Sequence, residues 1–387
     1  MFDGDDAMVL LLYEAYKTHS ELVRVARRDV HHLLLEEEWR IAMRARHYLT
    51  TQCLDVPCPS SWMTLFDCGT DINFLSATSL TRAFNQLLCR FSCYYYMAPL
   101  SARGRPLKLR YLHQVLGLIL TFYAGSMEQS SLCIIFGVPP STLSRTMRRA
   151  EEALSQALNG YAPDRISWPP PSRQVEIARM VNKREPLLTH TFGFIDGKNL
   201  RVQGPSNGDL QNAMYNGWLH SVFVTGTICF AADGCIIWSK HNCPGSWNDS
   251  DTSLEFRTKL TGPQYCPDDR MNVVSDSAFP CSSAMTGMIL TPLKDGDIEK
   301  IEHSLRASAR TLHNVITSIR QPAEWGMGIV QKVYSRFNLP HPYDADVRGM
   351  RIGNLFRLAN YRVRTVGISE IKTTFSGAME MPEQLVL

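Results

Sequence analysis

The 387-residue sequence has little net charge (+3), no C-x-x-C pair among its 11 cysteines, no internal repeat and no low-complexity tract. It also has no uncharged apolar run of about 20 residues, which excludes a membrane-spanning helix. The closest cysteine spacings, Cys53/Cys58 and Cys89/Cys93, have no histidines placed to complete a zinc site. The expectation is reduced, mostly buried thiols in an intracellular protein. The first residues, "MFDGDDAM", are acidic and lack a basic stretch followed by an apolar core, so no signal peptide is expected. What is present is ordinary globular material, 44% hydrophobic and 20% charged, with length for two or three domains. The charge is unevenly spread. Residues 101–150 hold seven Lys/Arg against one acid, Glu128, which points to a polyanion partner.

The apolar periodicity divides the chain in two. Residues 7–50 and 79–96 read as helical, the latter begun by Ser and Thr suited to capping. The prolines of "CLDVPCPSSW" separate them, and 97–108 reads as a basic linker. Residues 111–158 give three helical blocks, ending near Gly125, at Gly137 and at residue 158. The third is expected to start on Ser141 or Thr142 as its cap. The proline-rich stretch 159–173 reads as a linker. From about 190 the pattern alternates. "HTFGFIDGKNLRVQ" reads as a strand, and "HSVFVTGTICFAADGCIIWSKHN" as a hairpin turned at Asp233-Gly234. A helix is expected over 249–260, a short strand over 271–279, and helices over 297–337 interrupted by Pro322. The fold class is α/β, preceded by an all-helical half.

Two features carry chemistry. Residues 127–156 have the layout of a helix-turn-helix, with Ser141, Thr142, Ser144 and Arg145 at the start of the second helix and Arg148 and Arg149 one turn later. Such residues reach base edges or phosphates. Leu132, Ile135, Phe136, Val138, Leu143 and Met147 are its expected core. Separately, two apolar strands are expected to end on acids, Asp196 in "GFIDGKN" and Asp276 in "VVSDSAFP", and a third acid, Glu324, lies downstream in a helix. Three carboxylates converging from adjacent strands and a helix hold two Mg²⁺ about 4 Å apart, the arrangement that clamps an in-line phosphoryl displacement. Asp249 and Asp251 are rivals for the second position. Asp249 also suits a helix cap, while Asp276 is preferred because it ends an apolar strand as Asp196 does. His220, His241, Cys243 and Trp247 read as packing or positioning residues.

On these motifs the sequence resembles the DDE transposases of the PIF/Harbinger superfamily, from roughly Trp62 to Phe375. "GFIDGKN" is similar to the family's first-acid motif and "VVSDSAFP" to its second. "HNVITSIRQPAEWGMGIVQKVYSRF" is similar to the motif carrying the third acid, with 47 residues between Asp276 and Glu324. "HNCPGSWNDSD" resembles a Pro-Gly-Ser-x-His-Asp-Ser signature with Asn248 in the histidine place, so Asn248 and Asp249 are accessory candidates. "FGVPPSTLSRTMR" resembles the family's helix-turn-helix, and "LANYRVRTVGISEIKTTF" its C-terminal end.

The resemblance implies an RNase H-like catalytic fold with Asp196, Asp276 and Glu324 as catalytic and metal-holding acids for two Mg²⁺ or Mn²⁺ ions. It implies cleavage at transposon ends and strand transfer into target DNA, in the nucleus, with a Myb-like partner protein and a homo-oligomer as further expectations. The corresponding domains are a helical region 1–100, a helix-turn-helix domain 101–160, a linker 161–190, a catalytic domain 191–375 and a tail 376–387. The alternatives are a domesticated DNA-binding protein that does not cut, and an RNase H-like nuclease without strand transfer. Pro322, Gly326 and Gly328 are departures expected to kink or weaken the helix around Glu324.

Overall fold

The computed structural model describes residues 4–44, 54, 56–57, 59–97, 108–277, 279, 285–294 and 296–376. The basic linker and the C-terminal tail fall almost entirely outside these residues, as do positions 45–50 of the first expected helix, Arg103 and Arg105. Among the described residues no helix is long and apolar enough to cross a membrane.

The first half is helical. α1 spans Gly4–Arg44, and its side chains over 6–38 are exposed nearly throughout. Three short helices follow: α2 (Ser61–Cys68), α3 (Asp71–Thr78) and α4 (Phe84–Phe91). The expected helix over 79–96 is thus shorter. Ser79 adopts a left-handed conformation (φ 61°) that closes α3, and α4 is entered through Ala83 without a side-chain cap. α5 (Leu112–Ala124) is the buried axis of this half, with Trp62, Phe74, Phe84 and Phe136 forming an aromatic cluster beside it. α6 (Gln129–Phe136) ends at Gly137, whose φ of 65° is the left-handed turn that glycine adopts without strain. α7 (Pro140–Leu158) begins on Pro140 after Pro139, not on a Ser141 or Thr142 cap; proline suits the first helical position because the amide it lacks has no partner there.

The expected linker 161–190 contains a 14-residue helix, α8 (Pro171–Arg184). It is tied into the body. Gln174 Nε2 donates to Tyr265 O (2.7 Å), and Arg173 pairs with Asp233 (2.7 Å) at the hairpin turn. Prolines here set the entry to a helix rather than a loose connection.

The second half is built on a mixed six-stranded sheet. Its elements are β1 (Thr191–Arg201), α9 (Gly208–Met214), β2 (Tyr215–Asn216), β3 (Ser221–Phe230), β4 (Ile236–Pro244), α10 (Asp249–Thr252), α11 (Leu254–Thr261), β5 (Asn272–Val274), β6 (Ile289–Leu290), α12 (Asp297–Lys300), α13 (Arg306–Val333), α14 (Ala345–Thr365) and α15 (Glu370–Ser376). The strand order is β2-β3-β1-β5-β6, with β4 also on β3. β1 pairs antiparallel with β3 and parallel with β5. The β3–β4 hairpin turns at Asp233-Gly234, where Gly234 has φ 85° and Asp233 Oδ1 accepts the Cys235 amide (3.0 Å). The single helix expected over 249–260 is two short ones. α13 runs through Pro322 without interruption, and Gly326 lets it close on β3: a Cβ there would lie 2.8 Å from the Phe230 ring.

α14 joins the halves. Arg351 grips buried Glu151 of α7 through two hydrogen bonds (2.6 and 2.8 Å), and Glu151 also accepts from Tyr123 Oη (3.0 Å). Asn354 donates to Glu151 O (3.2 Å), and Tyr361 Oη donates to Ala83 O (2.7 Å). A buried ion pair is tolerated when hydrogen bonds satisfy its remaining atoms, as here.

Candidate active site

The site is organised by strand register. In the parallel β1/β5 ladder Phe194 stands opposite Val274, and each is followed two residues later by an aspartate. Asp196 and Asp276 therefore leave neighbouring strands at the same level. β1 does not end at Asp196, as expected, but continues to Arg201; burial is what changes, from complete through Ile195 to partial at 196–198. The consequence is electrostatic. Burial, then the negative charge of Asp276, push the Asp196 carboxyl up to about 6. A hydrogen bond from Gly197 opposes this, Glu324 adds repulsion, and Lys198 adds attraction.

Asp249 lies on the other side of the same strand. Side chains alternate along β1, so the bare Cα of Gly197 faces away from Asp196. There a Cβ would stand 2.6 Å from Asp249 Oδ1. Glycine at 197 makes this close approach possible. The Asp249 carboxyl is raised by burial and then by Asp276, so Asp276 is a charged neighbour of both. The cap of α10 is Asn248, not Asp249: its side chain accepts the Asp251 amide (3.1 Å), and Asp251 accepts the Asn248 amide (3.4 Å). Asp251 is thereby occupied in capping. Cys243 is buried and His241 half-buried, edge-on to Phe356; Trp247 lies under Lys240, and His220 is exposed.

Glu324 is on α13 and half exposed, with Arg320 one turn earlier at 2.9 Å. Among the described residues, no three His, Cys, Asp or Glu are grouped closely enough to hold a metal ion. The donor set suits a hard divalent cation in its chemistry, being carboxylate oxygens whose mutual repulsion is visible at Asp196. As placed, however, Glu324 is engaged by a guanidinium instead of joining the two aspartates. Sequence reasoning missed two cations here. Arg320 was legible as the i, i+4 partner of Glu324, and Lys198 by its place two residues after Asp196 on the same strand face.

The α7 residues divide by direction. Ser141 and Arg145 are exposed at its start. Ser144 and Arg148 line a cavity of about 690 Å³ with Arg336 and Arg351, and Arg148 pairs with Glu152 (3.5 Å). Arg149 donates to Tyr96 O (2.8 Å) and covers the Tyr95 ring, and Thr142 borders the same corner. Leu132, Phe136, Val138 and Leu143 are buried, with Ile135 and Met147 packed partly against them.

Residues 195–358 match the family model described as DDE superfamily endonuclease, a span that contains Asp196, Asp276 and Glu324. The matched span is 164 of the 387 residues, and over it the chain is similar to DDE-type endonucleases. No curated protein matches. A solved structure described as "Crystal structure of a pre-cleavage Mos1 transpososome" is similar at 12% identity over 72% of this chain and 85% of that one, with a TM-score of 0.17, too low to carry an argument about this fold.

Proposed function

We propose that this chain is a metal-dependent DDE nuclease of the PIF/Harbinger transposase type, with Asp196, Asp276 and Glu324 as its catalytic acids. The observation that carries the reading is the pair of aspartates at one level of adjacent parallel strands, with the carboxyl of Asp196 pushed up to about 6 by burial and then by the charge of Asp276. The sheet is read as an RNase H-like core, and α6–α7 as a helix-turn-helix presenting Ser141 and Arg145 to double-stranded DNA. Action in the nucleus, a Myb-like partner and a homo-oligomer complete the proposal.

Divalent cations, Mg²⁺ or Mn²⁺, held by Asp196, Asp276 and a Glu324 released from Arg320, would supply Lewis acidity and lower the pKa of the attacking water. The chain's own groups do the rest. A cation held there would favour the ionised form of Asp196, whose carboxyl is raised by burial and then by the charge of Asp276. Asp249 adds negative charge behind β1, and the partial burial of β1 at 196–198 limits water access. The reaction is attack of water on a phosphodiester, followed by attack of the freed 3′-hydroxyl on target DNA.

One observation favours a second reading, a DNA-binding protein that does not cut: Glu324 is turned to Arg320. The test is Mg²⁺- or Mn²⁺-dependent cleavage of duplex DNA carrying the element's ends, using wild type, Asp196→Asn and Glu324→Gln. Cleavage lost in both variants supports the nuclease. Wild-type binding without cleavage supports the second reading.

A further inference from the structure

Three groups beside the acids have no role in the mechanism above. Lys198 shares a face of β1 with Asp196, is partly buried, and donates from Nζ to Gln331 Oε1 (3.1 Å). Among the described residues no carboxylate stands within ion-pair distance of it. The charge of Asp196 on the same face reaches Lys198 without a direct ion pair, and a partly buried ammonium with no anion in contact suits a further anionic partner.

Gln331 lies two helical turns beyond Glu324 on α13, and Gly328 falls between them, at i+4 from Glu324 and i−3 from Gln331. The three share one helix face. Gly326 has an internal reason, the Phe230 ring, but a Cβ at Gly328 would meet nothing within 4 Å. An interior helical glycine weakens the helix relative to alanine, and here no packing requires it. Locally unfavourable choices without internal compensation mark functional surfaces.

We infer that Lys198, Gln331 and the bare backbone at Gly328 form a seat for a DNA-backbone phosphate next to the acid site. Lys198 supplies the charge, Gln331 orients the ammonium, and Gly328 leaves room for the sugar-phosphate chain to lie against α13. The occupant is a nucleic-acid backbone because the seat continues from the catalytic acids along an open helix face, and its amide, Gln331, is turned to the Lys198 ammonium. This inference rests on the nuclease reading.

The test is binding of fluorescently labelled duplex DNA in metal-free buffer over a KCl series, with thermal melts of each protein. Lys198→Ala is expected to reduce the log–log salt slope by about 0.9, the value for one lost phosphate contact, and Lys198→Arg to restore it. Gly328→Ala is expected to melt no lower than wild type yet bind several-fold more weakly. Unchanged binding by both alanine variants, with wild type binding DNA, overturns the seat alone. A wild-type protein that binds no duplex DNA overturns the seat and the nuclease reading together.

Discussion

Arg320 Nη1 stands 2.9 Å from Glu324 Oε1, one turn apart on α13. The pair is partly exposed, so its loss should cost the metal-free fold no more than ~1 kcal/mol. Its effect on metal should be larger. Arg320→Gln frees Glu324 to join Asp196 and Asp276, and the rise in melting temperature on adding Mn²⁺ should exceed that of wild type. Equal rises would mean that Arg320 does not compete with the ion.

Asp196 sets a pH dependence with a definite sign. Its carboxyl is raised from 3.8 to about 6 in the folded chain, so between those values the native state binds more protons than the unfolded state. Metal-free stability therefore falls as pH rises from about 4 to 6 and stays low above, by about 3 kcal/mol at most. Asp196→Asn should flatten that segment of the profile and leave the metal-free protein at pH 7 as stable as wild type or more so. Urea unfolding across the pH range reads both outcomes.

Asp249 and Asp276 should rank differently. Asp276 is next to Asp196 by strand register, whereas Asp249 lies across β1 behind Gly197. Asp276→Asn is expected to abolish metal-dependent cleavage, and Asp249→Asn to leave partial activity. The reverse order in a cleavage assay would move the second acid to Asp249.

The Glu151–Arg351 pair should be a stability element. Glu151→Gln leaves a guanidinium that is itself largely buried without its anion, and removal of one partner from such a pair costs about 3–5 kcal/mol. A denaturant midpoint unchanged from wild type would show that solvent reaches Arg351.

Arg145 and Arg149 of α7 should not behave alike toward DNA. Arg145→Ala should lower the log–log salt slope by about 1, because its side chain is exposed and, among the described residues, hydrogen-bonds to the Ser141 carbonyl of its own helix. Arg149→Ala should mainly lower the melting temperature, since Arg149 is committed to Tyr96 and Tyr95. Binding isotherms at several salt concentrations, with melts, separate the two.

Local chemistry alone determined much of this chain. The alternation of "HTFGFIDGKNLRVQ", the Asp233-Gly234 turn and the glycine closing α6 mark their elements because period and left-handed backbone are properties of a few adjacent residues. The same is true of the acids' positions along the chain. Tertiary structure decided the rest. Only packing could show that 171–184 is a helix, since Gln174 and Arg173 find partners about 60 to 90 residues away. Only strand register could set Asp196 level with Asp276 and put Asp249 behind Gly197. Only the packing of α13 could leave Gly328 facing open space. A sequence orders residues along one line, whereas burial, charge repulsion and close approach depend on distances that long-range pairing alone creates.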